Sequence, residues 1–443
     1  LLGVRDFRIL AAVTCAWALS AGAMAQDMLQ RRAREAAAII GADPSWPEGL
    51  FVEGFQAQVP DERLRAIGRQ YFAQCGGVLD VQQTGSKGEH AGTFDLIMEK
   101  GTVVPMTLAI TDEVPNPIAG LLFGLPAPML RNMEDAAAAL GKLGGNISFG
   151  VWELGEGEPR PVATLNPDTP LAIGSAFKLY VLGALVEEIR AGRRKPGDVI
   201  TLGADGRSIP SGQMQDWPTD APVTLSTAAN LMISISDNTA TDLLIRTLGR
   251  EKVEGVLPTM GMADPARTLP FLTTHEMIAI KGLDPEAAKA YAAMDTAARR
   301  AFLVERLPRE SIDLEHLDPS AFSKPAFVDS IEWFASAADL CRAMDWLRRN
   351  TPGDAGSDLA VVRGALAINR GLDIPRPRFP WVGFKGGSEP GVLNMTYLLQ
   401  AVDGRWMVLA ATWNDTERSL KESDFLAIVQ RAIWVLGKPA AGG

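Results

Sequence analysis

The sequence predicts an α+β protein of two units, the second an antiparallel sheet flanked by helices. Three observations predict it. The chain's 443 residues exceed one ordinary domain. Short strand-like runs cluster at 78–123 and return at 147–165 and 381–413, with helical periodicity between. The runs are joined by tight turns such as Glu99-Lys100-Gly101 and Asp403-Gly404, which favours hairpins over parallel crossovers. With 47% apolar residues each unit can bury a core, and no internal stretch approaches a membrane span. The net charge of −10 argues against nucleic acid or an acidic polymer as the main partner, and fits a protein acting on a small-molecule substrate.

Arg5 and Arg8 precede an apolar run at 9–19, and Ala23-Met24-Ala25 follows it. That is the pattern of a cleaved secretory signal over residues 1–25, so a periplasmic or secreted protein is expected. Cys15 lies in the run without lipobox-like neighbours, and no stable membrane anchor is expected. Cys75 and Cys341 fall in different units and do not make a disulfide framework; no Cys-x-x-Cys or His cluster points to a metal, and no cofactor is expected.

In the first unit, residues 26–128, an Ala- and Arg-rich helix is predicted at 28–40 and ends at Ala42-Asp43-Pro44. A second is predicted at 60–73 with Leu64, Ile67 and Tyr71 on one face, stopping at Gly76-Gly77. Strands are predicted at 78–83, 92–98, 103–110 and 118–123. A helix on an antiparallel sheet of this size and element order is similar to the NTF2-like domains. That resemblance implies a ligand-cavity fold, and the unit is expected to be non-catalytic; His90 and Asp95 sit on its predicted strands. In the second unit, 129–443, a helix at 130–143 precedes strands at 147–153 and 161–165 and an apolar helix from Ser175 to about 189. A mostly helical middle follows, then strands at 381–385, 393–402 and 405–413 and a closing helix at 423–436.

Three short stretches carry the chemistry. Ser175-Ala176-Phe177-Lys178 places a hydroxyl and an amine one helical turn apart on one face. Serine at a helix start also lies beside backbone N–H groups able to stabilise an oxyanion. Lys178 must be neutral to take the hydroxyl proton, and its neighbours are apolar enough to lower its pKa. Ser236-Asp237-Asn238 stands between two predicted helices. Asp237 reads as an N-cap, leaving Ser236 as a hydroxyl bridge for the proton and Asn238 as a partner for a substrate amide. Lys385-Gly386-Gly387-Ser388 ends a predicted strand, where glycines admit a substrate carbonyl and Lys385 supplies positive charge.

Together, in this order, the three stretches resemble the S-x-x-K, S-D-N and K-T-G set of the class A β-lactamases and penicillin-binding proteins. The segments around Thr169–Leu182 and Ser236–Ile245 are similar to that family's sequences at its first two motifs. The resemblance spans about 129–437 and implies the β-lactamase/transpeptidase-like fold. It also implies acylation of Ser175, with Lys178 as base, Ser236 as proton relay, and an oxyanion hole from the backbone N–H groups of Ser175 and Ser388. Asn238, Lys385, Gly387 and Ser388 would bind substrate.

The chain departs from the family pattern in three places. The loop glutamate that activates the deacylating water, in E-x-x-x-N form, has no match. Glu276 is the nearest, but Ile280 stands where Asn would, and Glu276 also reads as a capping-box partner of Thr273. Gly386 replaces the usual Thr or Ser, leaving Ser388 to substitute in part for that hydroxyl. An acidic, Pro-bearing insertion at about 282–330 lengthens the middle and is expected to form a lid or partner surface. The expectation is acyl-enzyme formation with β-lactams or activated esters and amides, followed by slow or unconventional hydrolysis. A D-Ala-D-Ala peptidase or esterase of cell-wall metabolism, and a penicillin sensor acylated once and held, stay open beside it.

Overall fold

The computed structural model describes residues 27–203, 207–283, 285–307, 323–353 and 356–437. The expected signal at 1–25 and residues 284 and 308–322 of the expected lid at 282–330 lie outside them. The chain divides into two compact units, Leu1–Met129 and Leu130–Gly443.

In the first unit, helix α1 (27–37), α2 (Glu53–Gln58) and α3 (Asp61–Cys75) accompany strands β1 (Val78–Ser86), β2 (Ala91–Met98), β3 (Thr102–Ile110), β4 (Ile118–Phe123) and β5 (Ala127–Pro128). The sheet order is β1-β2-β3-β4, antiparallel throughout, with β5 also on β3. Alternating residues of β3 (Val104, Met106, Leu108, Ile110) are buried on one face, as a half-buried strand requires. The buried face of α3 is the predicted one, with Gly68 and Cys75 added to it. Leu64, Gly68 and Cys75 are buried, whereas Ile67 and Tyr71 are only half-buried. Gly68 lies at the closest point of that face: its Cα packs onto the backbone carbonyl of Ile39, a contact any Cβ would block. Tyr71 instead donates its hydroxyl proton to the Phe123 and Gly124 carbonyls, at 3.2 and 3.1 Å.

The second unit opens with α4 (Met133–Gly141), capped by the Asn132 side chain, and then β6 (Asn146–Leu154) and β7 (Arg160–Leu165). The short β8 (Leu171–Ala172) leads to a 3₁₀ turn at Gly174–Phe177 and α5 (Lys178–Arg190). The middle holds β9 (Val199–Thr201), β10 (Pro222–Thr224), α6 (Leu225–Ser234), α7 (Asn238–Leu248), α8 (Arg250–Thr259), α9 (Thr274–Leu283), α10 (Pro285–Ala292) and α11 (Thr296–Glu305). After β11 (Phe334–Ala335) come α12 (Ala337–Asn350), α13 (Asp358–Ile368), β12 (Trp381–Glu389), β13 (Val392–Gln400), β14 (Trp406–Asn414) and α14 (Glu422–Leu436).

The main sheet runs β12-β13-β14-β6-β7, all antiparallel, so strands from both ends of the unit form one layer. One core lies between this sheet and α4 and α14, built on Phe149, Leu409, Phe425 and Ile433. The other surrounds α5, which is buried on every side except at Glu187 and Arg190. A helix apolar all round is a central helix, and α5 is the post on which the helical region is hung. The predicted nucleophile helix begins three residues late. Gly174 turns the chain with φ of +48°, and the 3₁₀ turn precedes Lys178. β12 packs directly on that turn, so there is no room for a wider α-turn.

The return of the chain to the site side depends on α12, whose N-terminus carries a full capping box between Ser336 and Asp339. Ser336→Ala is expected to lower the unfolding free energy by about 1 kcal/mol. Urea denaturation of the two proteins, read at unchanged m-value, measures it; a loss of less than a few tenths would show the box to be dispensable.

Candidate active site

Ser175 is delivered by a segment pinned at several points. The Asn414 carboxamide accepts from Ala172 N at 2.8 Å and donates to Ala172 O at 2.9 Å, tying β8 to the end of β14. Ile173 N donates to Trp333 O at 3.0 Å, and the Phe177 ring stacks on Trp333 with centroids 3.7 Å apart. In a 3₁₀ turn residues three apart eclipse, which aligns Ser175 with Lys178. Lys178 Nζ lies 3.2 Å from Ser175 Oγ.

Lys178 is fully buried, and its amine meets only neutral oxygens: Ser236 O at 2.7 Å, Ser236 Oγ at 3.0 Å and Asn238 Oδ1 at 2.7 Å, besides Ser175. Burial holds its pKa well below the ordinary lysine value, and the charge of Lys385 lowers it further; Asp242 and Asp237 pull the other way. Lys385 is also buried. Its Nζ donates to Ser236 Oγ at 3.0 Å and Gly386 O at 2.6 Å, and desolvation lowers its pKa to about 7. Ser236 Oγ therefore stands between two amines.

The loop that presents Ser236 is built for that purpose. Ser236 itself adopts φ of +60°, a conformation non-glycine residues rarely take. Asp237 is buried and caps α7: Oδ1 accepts from Ala240 N at 2.8 Å, and Oδ2 from Gln213 N and Met214 N at 2.8 and 2.9 Å. Asp242, one turn further, accepts from Ser208 Oγ at 2.5 Å, Thr274 N at 2.8 Å and His275 N at 2.9 Å, which ties α7 to the start of α9.

The structure brings Ser175, Lys178, Ser236, Asn238 and Lys385 into one hydrogen-bonded cluster. The expected substrate-amide role of Asn238 meets a carboxamide already engaged, its Oδ1 on Lys178 and its Nδ2 donating to Ile209 O at 2.8 Å. Its visible work is to orient the amine. Gly387 has its Cα against the turn: a Cβ there would collide with Ile173 O and sit 2.6 Å from Ser175 N and 2.9 Å from Ala176 N. Gly386 is similarly restricted, since a Cβ would lie 2.9 Å from the Phe384 ring and 3.1 Å from Asn394 O. That crowding is the local reason for the missing Thr. Ser388 is exposed beside Ser175, at the mouths of two cavities of about 350 and 170 Å³.

Glu276 is not in this cluster. Its Oε2 accepts from Thr273 N at 2.8 Å while Thr273 Oγ1 accepts from Glu276 N at 3.1 Å, and Arg250 binds both carboxylate oxygens at 3.0 and 2.5 Å. It caps α9 and pairs with α8, and it lines neither cavity beside Ser175. Two features lay outside the sequence reading. Ser211 lines both cavities and donates to Ser236 O at 2.5 Å; Pro210-Ser211-Gly212 reads only as a turn in sequence. Lys281 joins Glu332 and Glu389 at 2.6 and 2.8 Å at the smaller cavity, and no local pattern brings those three together.

Ser175 Oγ thus lies on a buried amine, and Ser236 Oγ is hydrogen-bonded both to that amine and to Lys385. Residues 132–311 match the model of the beta-lactamase enzyme family. The second unit accordingly has the β-lactamase/transpeptidase-like fold, its antiparallel sheet flanked by helices. Among solved structures, the chain is similar to a beta-lactamase from Sphaerobacter thermophilus (23% identity over 70% of this chain and 98% of that one, TM-score 0.48). It is also similar to an ancestral class A beta-lactamase (16%, 68% and 98%, TM-score 0.47). A third similarity is to an L158E mutant of PBP-A solved as an acyl-enzyme complex with penicillin G (13%, 69% and 94%, TM-score 0.45). No curated protein matches the chain.

Burial disfavours charge on Lys385, so between about pH 7 and its unfolded value of 10.5 the unfolded chain holds the extra proton. Stability is therefore expected to rise with pH over that window. In Lys385→Met the rise should be smaller, as measured by urea denaturation at pH 7 and 9.5; an unchanged slope would contradict it. Gly387→Ala should leave the fold in place by circular dichroism yet cut acylation of Ser175 by about a hundredfold, because the strand must back away from the turn.

Proposed function

We propose that the second unit is a serine hydrolase that works through an acyl-enzyme on Ser175, taking β-lactams or activated esters and amides. The single observation that carries this is the 3.2 Å approach of Ser175 Oγ to a buried lysine amine that has only neutral partners. Lys178, neutral, takes the hydroxyl proton as Oγ attacks the substrate carbonyl. Ser236 hands a proton from Lys178 or Lys385 to the leaving group, and the backbone N–H groups of Ser175 and Ser388 receive the oxyanion.

A second observation bears on substrate choice. Lys385 is the one cation lining the larger cavity among the described residues; it is half-discharged near pH 7, and Glu422 also lines that space. Such a cleft is poorly suited to holding a substrate carboxylate, which favours neutral esters over carboxylate-bearing β-lactams. The peptidase and the non-turnover sensor are the competing readings. The first unit is read as an NTF2-like, non-catalytic domain, and the protein as periplasmic or secreted.

Incubation with a chromogenic cephalosporin and with a neutral p-nitrophenyl ester, each followed by intact mass, tests this reading. An acyl adduct is expected in the wild type, and Ser175→Ala should lose at least about a thousandfold in rate. An adduct that persists in Ser175→Ala would overturn the nucleophile. Raising the pH from 6 to 8.5 should weaken the cephalosporin reaction relative to the ester, as Lys385 loses its charge; parallel profiles would remove the argument for neutral substrates.

A further inference from the structure

Ser175 and Glu389 line the same cavity of about 170 Å³, which Ser236 does not line. Strand geometry puts them in reach. Along β12, side chains at 385, 387 and 389 share one face, and the register to β13 is unbroken through Glu389. Gly387 is the residue that abuts Ser175 N, so Glu389 lies two residues on, about 7 Å along the strand. The cavity they share is large enough to hold water beside Ser175.

The carboxylate is held, not loose. Lys281 Nζ, from α9, donates to Glu389 Oε1 at 2.8 Å and to Glu332 Oε1 at 2.6 Å. Glu332 has a fully buried side chain and Glu389 one about 20% exposed, so only Glu389 presents a wetted edge. Glu332 Oε2 is buried without a hydrogen-bond partner, and the Glu332 and Glu389 carboxyls share the Lys281 ammonium. Burial, with the charge of Glu389 beside it, holds the Glu332 pKa well above the ordinary carboxyl value, which favours its protonated form. Lys281, with two acidic partners, stays charged, its pKa pushed up to about 12. The group is thus neutral overall, with its one open carboxylate edge beside the nucleophile; Lys324 is the other charged residue lining the cavity.

We infer that Glu389, oriented by Lys281 and Glu332 in the cavity it shares with Ser175, is the general base that activates water to hydrolyse the acyl-enzyme. This rests on the acyl-enzyme reading above. Glu389 takes a proton from the water as its oxygen bonds to the acyl carbon. The bond from that carbon to Ser175 Oγ then breaks, Oγ receives the proton back, and one water is consumed for each carboxylic acid released.

The test separates acylation from deacylation in the full chain. Wild type and Glu389→Gln are mixed with the neutral p-nitrophenyl ester; the burst gives acylation, and intact mass follows decay of the adduct. The burst should agree within a few-fold while the adduct of Glu389→Gln decays about a hundredfold more slowly. If Glu389→Gln does not fold, Glu389→Asp, which keeps the charge but withdraws it by one methylene, should slow decay with the burst unchanged. Equal decay in wild type and variant, or a wild-type adduct that never decays, overturns the role of Glu389 and leaves Ser175 as nucleophile. Absence of any wild-type adduct overturns the acyl-enzyme reading itself, and the base with it.

Discussion

A lysine amine buried without a counter-ion is the constraint around which the second unit is arranged. Lys178 can stay neutral only if every polar atom around it is itself neutral and if water is kept out. The stacked Phe177 and Trp333 rings close one side, and the Ser236 loop closes another. The nearby acids are spent on backbone: Asp237 and Asp242 take three hydrogen bonds each from α7, α9 and the 208–214 loop and its cap, so none forms an ion pair with the amine. Lys281 is the contrasting case in the same unit. It is as deeply buried, but two glutamates face it, and its pKa moves up where that of Lys178 moves down. Burial alone does not decide the state of a lysine; the partners do.

The parts of this arrangement written in short stretches of chain were legible in the sequence. Ser175 with Lys178, and Ser236 through Asn238, are local patterns whose spacing already states a helical turn or a cap. Both sheets were legible because alternation and turn residues are local as well. Other features depend on distant packing. Glu332 and Glu389 stand 51 and 108 positions from Lys281, and nothing near any of them records the meeting. The buried face of α3 was legible from Leu64 and Tyr71, but its closest contact was not, because Gly68, which makes it, has no side chain to register as apolar. Glu276 could be read two ways in sequence, and only the placement of Arg250 shows where its carboxylate is committed.

Gly386 and Gly387 show one strand answering two demands. Each lacks a side chain for a different reason, the first because Phe384 and Asn394 O fill the space, the second because the turn carrying Ser175 lies against it. The close approach to the turn is thus met at Gly387, while the missing side chain at Gly386 answers to packing within the sheet. Geometry for attack is kept while one means of selecting the substrate is reduced.

The order of the chain gives the sheet one more consequence. Lys385 and Ser236 share a hydrogen bond across 149 positions, and β12 reaches β6 only through β13 and β14. The helices α5 and α7 draw on contacts close in sequence, but the cluster around Ser175 is incomplete until the last strands have docked. On the acyl-enzyme reading proposed above, a covalent probe of Ser175 would count only molecules whose C-terminal strands are home.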